Sequence, residues 1–81
     1  MYQNVPNPSN GHTVIGFDLA KAGQASLSIM TIDGKMVKSI SGTFEAGYNE
    51  FVIKDLKAAG VLYYSLESGD FTATKKMIVI E

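Results

Sequence analysis

An antiparallel all-β sandwich of about seven short strands is predicted by two features of the sequence. Apolar and polar residues alternate through several short segments, as at Ile15, Phe17 and Leu19, which is the period of a half-buried strand. Turns rich in glycine, asparagine and aspartate separate these segments, and no 3.6-residue apolar period is sustained. With 81 residues and 46% hydrophobic content, residues 1–81 form a single domain around one modest core.

The composition excludes several classes of partner and site. The net charge is −1 and all seven cationic residues are lysines, so the chain lacks the basic field and the arginine forks used to bind nucleic acid. Without cysteine there are no disulfides and no thiolate metal sites. No apolar run approaches the roughly 18 residues of a membrane helix, so we expect no direct membrane insertion. Residues 2–8 do not resemble a signal peptide, so an exported form requires a longer precursor.

The N-terminal segment, residues 2–11, consists of turn-forming residues. Pro6 and Pro8 favour extended conformations in the residues before them. Proline is tolerated at the edge of a sheet, and we expect Tyr2 and Val5 to attach this segment there.

Alternation continues through the middle of the chain. It is interrupted at Met30–Ile32, which indicates a bulge or a bend. Asp33-Gly34 then predicts a hairpin with a primed turn, in which glycine supplies the positive φ. Lys35–Ile40 is the predicted return strand, Ser41–Gly47 a polar loop, and Leu56 plugs the core from a later loop. The strand residues predicted to face the core are Ile15, Phe17, Leu19, Ala25, Leu27, Ile29, Phe51 and Ile53. In the strand from Val61 to Ser68, one face carries Leu62, Tyr64 and Leu66 and the other Val61, Tyr63 and Ser65, and the pattern does not choose between them.

The last segment is predicted to be a hairpin of two strands that are joined at Ser68-Gly69-Asp70. Its second strand ends in the apolar run Met77-Ile78-Val79-Ile80. Chain ends usually carry little structure. Such an end is therefore either a central strand covered on both faces or an edge strand to which a partner adds its own strand. In isolation the same apolar segment could pair two copies edge to edge.

Four stretches, in order along essentially the whole chain, resemble a known family. They are Asn4-Val5-Pro6-Asn7-Pro8-Ser9, Leu27 through Asp33-Gly34-Lys35, Gly60-Val61-Leu62-Tyr63-Tyr64, and Gly69 through Lys76-Met77-Ile78-Val79. The chain is similar to the type A C-terminal sorting domains of proteins exported by the type IX secretion system of Bacteroidetes. It also resembles the related immunoglobulin-like domain of flagellar hook-capping proteins. One departure is Leu62, where the family usually has an aromatic residue.

The resemblance implies an immunoglobulin-like sandwich that serves as a sorting signal and catalyses nothing. A secretion translocon would recognise it once a fused cargo protein has folded in the periplasm. A sortase-like peptidase would then remove it, and the cargo would cross the outer membrane to the cell surface or the medium. The residues assigned to recognition are Gly60, Gly69, Lys76, Met77, Ile78 and Val79; those assigned to structural turns are Asn7, Pro8, Asp33 and Gly34.

Other functions have weaker support in the sequence. His12, the only histidine, lacks the neighbours of a catalytic triad, and the scattered aspartates and glutamates lack the spacing of a calcium loop. We expect no cofactor and no metal. Tyr48, Tyr63, Tyr64 and Phe71 suggest a carbohydrate platform, but core and sheet-face packing explains them better. The alternative function is therefore an accessory module, either carbohydrate-binding or an immunoglobulin-like linker.

Overall fold

A computed structural model describes the chain except for Pro8, Ser9, Lys57, Asp70 and Glu81. The predicted turn residue Pro8, the hairpin residue Asp70 and the terminal Glu81 therefore lie outside the described residues. The strands are β1 (Thr13–Leu19), β2 (Gly23–Thr31), β3 (Met36–Phe44), β4 (Gly47–Ile53), β5 (Gly60–Ser68) and β6 (Phe71–Val79).

The strands form two antiparallel sheets that pack as a sandwich, as predicted. One sheet has the order β1-β4 and the other β3-β2-β5-β6. The described residues contain six strands, where the sequence suggested about seven. The N-terminal segment docks on β1 as expected, through a bridge between Val5 and Val14 and a bond from the Tyr2 N–H to the Gly16 carbonyl of 2.8 Å. It forms no full strand, because Val5 is bridged to β1 only as an isolated pair.

The core lies between the two sheets and contains every strand residue that alternation assigned to it. Leu56 plugs it from the loop after β4, also as predicted. The buried apolar residues are Ile15, Phe17, Leu19, Ala25, Leu27, Ile29, Phe51, Ile53, Leu56, Leu62, Tyr64, Leu66, Met77 and Val79.

The predicted polar loop at Ser41–Gly47 is wrong over its first four residues, which belong to β3. The packing of Phe44 shows that these residues belong to a strand and not to a polar loop. Its ring meets Phe17 and Phe51 edge-on, each at 5.1 Å between centroids. The alternation was hidden because one of the inward-facing positions is Gly42, which has no side chain to mark it.

The β2–β3 hairpin has the predicted bulge, between Ile29 and Met30, but not the predicted primed turn. The Thr31 N–H donates to the Lys35 carbonyl at 2.9 Å, which encloses a three-residue loop. Within this loop Gly34 has a φ of 88°, whereas Asp33 does not adopt a positive φ. A two-residue primed turn would require it at both central positions, and this longer loop needs one left-handed residue at its end.

The closing strand β6 lies at the edge of the four-stranded sheet, paired only with β5. The prediction of a central strand covered on both faces is therefore wrong. Met77 and Val79 are buried in the core, while Ile78 and Ile80 are 41% and 53% exposed. None of the described residues forms a helix that is long and apolar enough to cross a membrane.

Candidate functional site

The residues assigned to recognition separate into four locations. Lys76 and Ile78 lie on the exposed outer face of β6, whereas Met77 and Val79 point into the core. Gly60 pairs with Val79 at the start of β5. Gly69 is in the turn at the far end of the same hairpin, about 30 Å away at ~3.3 Å per residue. Both glycines have positive φ, a conformation that glycine adopts more readily than other residues. The turns therefore explain why these two positions are glycine. A partner that contacts the side chains of this strand reaches Lys76 and Ile78.

The N-terminal arm, residues 2–7, covers part of the free edge of β6. The Ile78 N–H donates to the Asn7 side-chain oxygen at 3.0 Å, and the Gln3 side chain donates to the Lys76 carbonyl at 2.8 Å. The backbone of every second residue in a strand points to the same side. Thr72 and Thr74 therefore present the next backbone groups on this edge. Among the described residues, none forms a hydrogen bond to that outward backbone. The arm therefore covers the C-terminal half of the β6 edge and leaves the N-terminal half open.

A buried polar cluster holds this arm in place. The Asn4 N–H donates to the Tyr64 hydroxyl at 2.9 Å, and that hydroxyl donates to the Tyr2 carbonyl at 3.2 Å. The Asn4 amide donates to the Pro6 carbonyl at 3.0 Å and to the Thr13 hydroxyl at 3.2 Å. Asn4 and Tyr64 are almost completely buried. Burial raises the pKa of Tyr64, and the N–H bond from Asn4 opposes this in part.

Sequence reasoning treated Asn4 as ordinary turn chemistry and missed this role. The asparagine-proline motif is the signal that marks the position. Periodicity could not show that Asn4 meets a tyrosine sixty residues later in the chain. Asn7, predicted as a turn residue, also acts as the acceptor for the edge of β6.

The tyrosines that suggested a carbohydrate platform do not share a surface, which agrees with the preferred interpretation of core and sheet-face packing. Tyr64 is buried, Tyr63 lies on the outer face of the four-stranded sheet, and Tyr48 lies on the other sheet. Phe71 lines a groove of about 960 Å³ at the turn end of β1.

A pair of tyrosines that the sequence did not suggest lies on the outer face of β1–β4. The rings of Tyr2 and Tyr48 are 5.8 Å apart and tilted by 54°. The Tyr2 hydroxyl donates to Asp18, and this bond raises the pKa of Tyr2. Likewise the Tyr48 hydroxyl donates to Glu50 at 3.0 Å, which raises the pKa of Tyr48. Both hydroxyls thus hold neighbouring carboxylates.

The Asp33 turn is stabilised locally. The Thr31 hydroxyl donates to the Asp33 carboxylate, and this bond lowers the pKa of Asp33. The same hydroxyl accepts the Lys35 N–H at 3.0 Å. These contacts give the turn a structural role.

The described residues contain no group of three histidine, aspartate or glutamate side chains that could hold a metal ion. His12 is exposed just before β1.

The assignment of this chain to a protein family rests on one match. A model described as the secretion system C-terminal sorting domain matches residues 4–80. The chain belongs to this family. The family indicates a type IX secretion C-terminal sorting signal, and its members are generally non-catalytic tags. A sorting domain implies contact with the secretion machinery, fusion to a cargo protein, and export to the cell surface or the medium. No curated protein and no solved structure matches the chain.

Proposed function

We propose that this sorting domain directs a folded cargo across the outer membrane because the translocon binds the exposed side of β6. The observation that carries the proposal is the position of β6 at a sheet edge, with alternate side chains in the core and in solvent. Lys76 supplies a charge and Ile78 an apolar contact on the solvent side. The part of the β6 edge that the arm leaves open, at Thr72 and Thr74, is also available for pairing with a strand of the partner.

The six residues assigned to recognition then have three different roles. Met77 and Val79 hold the strand to the core through apolar burial. Gly60 and Gly69 allow the turns at the two ends of β5. Lys76 and Ile78 contact the translocon. This division explains why one short segment needs both buried and exposed apolar residues.

The later steps are also part of the proposal. The cargo, fused upstream of Tyr2, folds in the periplasm before the translocon engages the domain. A sortase-like peptidase then cleaves between cargo and domain, and the cargo is attached to the surface or released. The domain itself supplies no catalytic group to this cleavage.

A second function is favoured by the Tyr2–Tyr48 pair. Each exposed tyrosine ring presents a flat apolar face with a polar hydroxyl at one end, which suits the stacking of a sugar ring. An accessory carbohydrate-binding module would use this face. Glycan-array binding that is lost in Tyr48→Ala would support it.

An export assay tests the sorting proposal. Residues 2–81 are fused behind a fluorescent protein that carries a periplasmic signal peptide, in a Bacteroidetes host. We expect fluorescence at the surface or in the medium. We expect it to remain in the periplasm without the domain or without residues 75–81.

The deletion also removes core residues, so it needs a comparison that keeps the fold. The double substitution Lys76→Glu and Ile78→Ser changes only exposed side chains. Retention of cargo by this variant, with the melting temperature preserved, supports recognition at β6. Periplasmic retention of the unaltered fusion would favour the accessory module instead.

Self-association of the isolated domain through the β6 edge is a further expectation. Sedimentation velocity on residues 2–81 tests it. A dimer that is abolished by a proline at Thr74, whose backbone lies on the open edge, would support edge-to-edge pairing.

A further inference from the structure

The outer face of the four-stranded sheet has two halves of different chemistry. One half carries hydroxyl groups. Ser39, Ser28, Ser65 and Thr74 form a row across all four strands. The Ser65 and Thr74 oxygens are 2.6 Å apart and share a hydrogen bond. Hydroxyl groups are suited to contact with water, so this half has the character of an ordinary solvated surface.

The other half, nearer the β2–β3 turn, is an exposed apolar patch. Met36 pairs with Met30, Met30 with Tyr63, and Tyr63 with Lys76, which sets them in one row. Val61 and Ile78 form the next row, and Ile32 follows β2 at the same end. Ile32 is 73% exposed and Met36 is 53% exposed. The apolar patch consists of Met30, Ile32, Met36, Val61, Tyr63 and Ile78.

We propose that the apolar patch binds a protein of the secretion machinery whose contact surface is apolar at its centre and acidic at its rim. This inference rests on the proposed function, because the patch contains Ile78 and continues from β6 across the whole sheet. It extends recognition from the last strand to the β2–β3 hairpin, more than forty residues earlier in the sequence. Methionine and tyrosine, which supply half the patch, are enriched at protein interfaces.

The charges around the patch define the partner's rim. Lys76 borders the patch on β6, and Lys35 precedes Met36 at the hairpin; both lysines are exposed. Asp33, a carboxylate of the same hairpin as Lys35, already accepts a hydrogen bond from Thr31. Carboxylates on the partner would therefore pair with Lys35 and Lys76, while apolar side chains cover the centre.

Two other occupants fit less well. Attraction to an anionic membrane takes clusters of about four to eight basic residues, and the rim offers two lysines. A second copy docked face to face would bring a second set of the same lysines to the interface.

The test substitutes patch residues that lie outside the last strand. In the export assay, the Ile32→Ser and Met36→Ser double variant is compared with Val52→Ser. Val52 is 57% exposed on the opposite sheet and serves as the matched control. We expect the patch variant to lower the extracellular fraction at least about fivefold and Val52→Ser to leave it unchanged. Melting temperatures should differ little, because all three side chains are exposed. A second variant, Lys35→Glu, should lower export on its own.

The outcomes separate this inference from the proposed function. Normal export of the patch variant, together with loss of export in Lys76→Glu and Ile78→Ser, overturns the patch and leaves recognition at β6 intact. Failure of the unaltered fusion overturns the proposed function itself. Binding of the unaltered domain, but not the patch variant, to vesicles of phosphatidylglycerol would overturn the protein partner in favour of lipid. A dimer in sedimentation that only the patch variant abolishes would overturn it in favour of a second copy.

Discussion

Tyr64 carries two kinds of interaction that a phenylalanine would separate. Its ring fills the core, and its hydroxyl joins the N-terminal arm to β5 through the Asn4 N–H and the Tyr2 carbonyl. We predict that Tyr64→Phe lowers the free energy of unfolding by about 2 kcal/mol, because it leaves a buried N–H without its acceptor. Urea denaturation measures the change. The control is Tyr63→Phe on the outer face, which should cost less than about 0.5 kcal/mol. Equal effects of the two substitutions would contradict this role of the hydroxyl.

Burial of Tyr64 also predicts a dependence on alkaline pH. The unfolded chain ionises this phenol near pH ~10, while burial raises its pKa in the fold. The contribution of the neutral Tyr64 phenol to stability is therefore complete below pH ~10, and it is lost as the pH rises through the pKa that Tyr64 has in the folded domain. Above about pH 10, the stability of the unaltered domain should fall more steeply with rising pH than that of Tyr64→Phe. Because the lysines and the other tyrosines are common to both proteins, the difference isolates Tyr64. Parallel curves would contradict the prediction.

At the level of elements, the N-terminal arm and β6 are coupled through side chains. Asn7 accepts the Ile78 N–H, so Asn7→Ala should expose that amide to exchange. One hydrogen bond of about 1 kcal/mol corresponds to roughly a fivefold faster hydrogen exchange at Ile78. Amide exchange measured by NMR checks this. The control, Asn10→Ala, changes another exposed asparagine of the same segment and should leave the Ile78 amide unchanged. An unaltered exchange rate in Asn7→Ala would show that the arm does not protect the edge.

The sequence predicted the strands more accurately than their arrangement. Alternation placed Leu27, Phe51 and Ile53 correctly, because a half-buried strand must bury every second side chain. The bulge after Ile29 was also visible as a loss of phase. The edge position of β6 could not be predicted in this way. Alternation shows which side chains share a face of a strand, and it does not show which strands are neighbours in the sheet.

The candidate site was predictable only in part for the same reason. The tail motif drew attention to Lys76 and Ile78, both of which the structure exposes. It could not separate them from the buried Met77 and Val79 until the strand phase was known. The apolar patch was missed because Met36 and Ile78 become neighbours of one surface only through strand pairing across β2 and β5.

On the scale of the whole molecule, the domain has two outer surfaces of different character. The β1–β4 face carries Tyr2, Tyr48 and their carboxylate partners. The four-stranded face carries the apolar patch and the exposed side of β6. The arm joins the two sheets on one side, since it pairs with β1 and bonds the edge of β6. The segment that would lead to a cargo and the strand proposed for recognition are therefore held together in one structure.

The central claim, that the translocon recognises the exposed side of β6, is tested most directly by one paired measurement. The extracellular fraction of the fluorescent fusion is measured for Lys76→Glu with Ile78→Ser, and for Lys54→Glu with Val52→Ser. The second pair repeats the same chemistry on the exposed side of the opposite sheet. We predict periplasmic retention of the first variant and normal export of the second, with similar melting temperatures. Normal export of the β6 variant would contradict the claim.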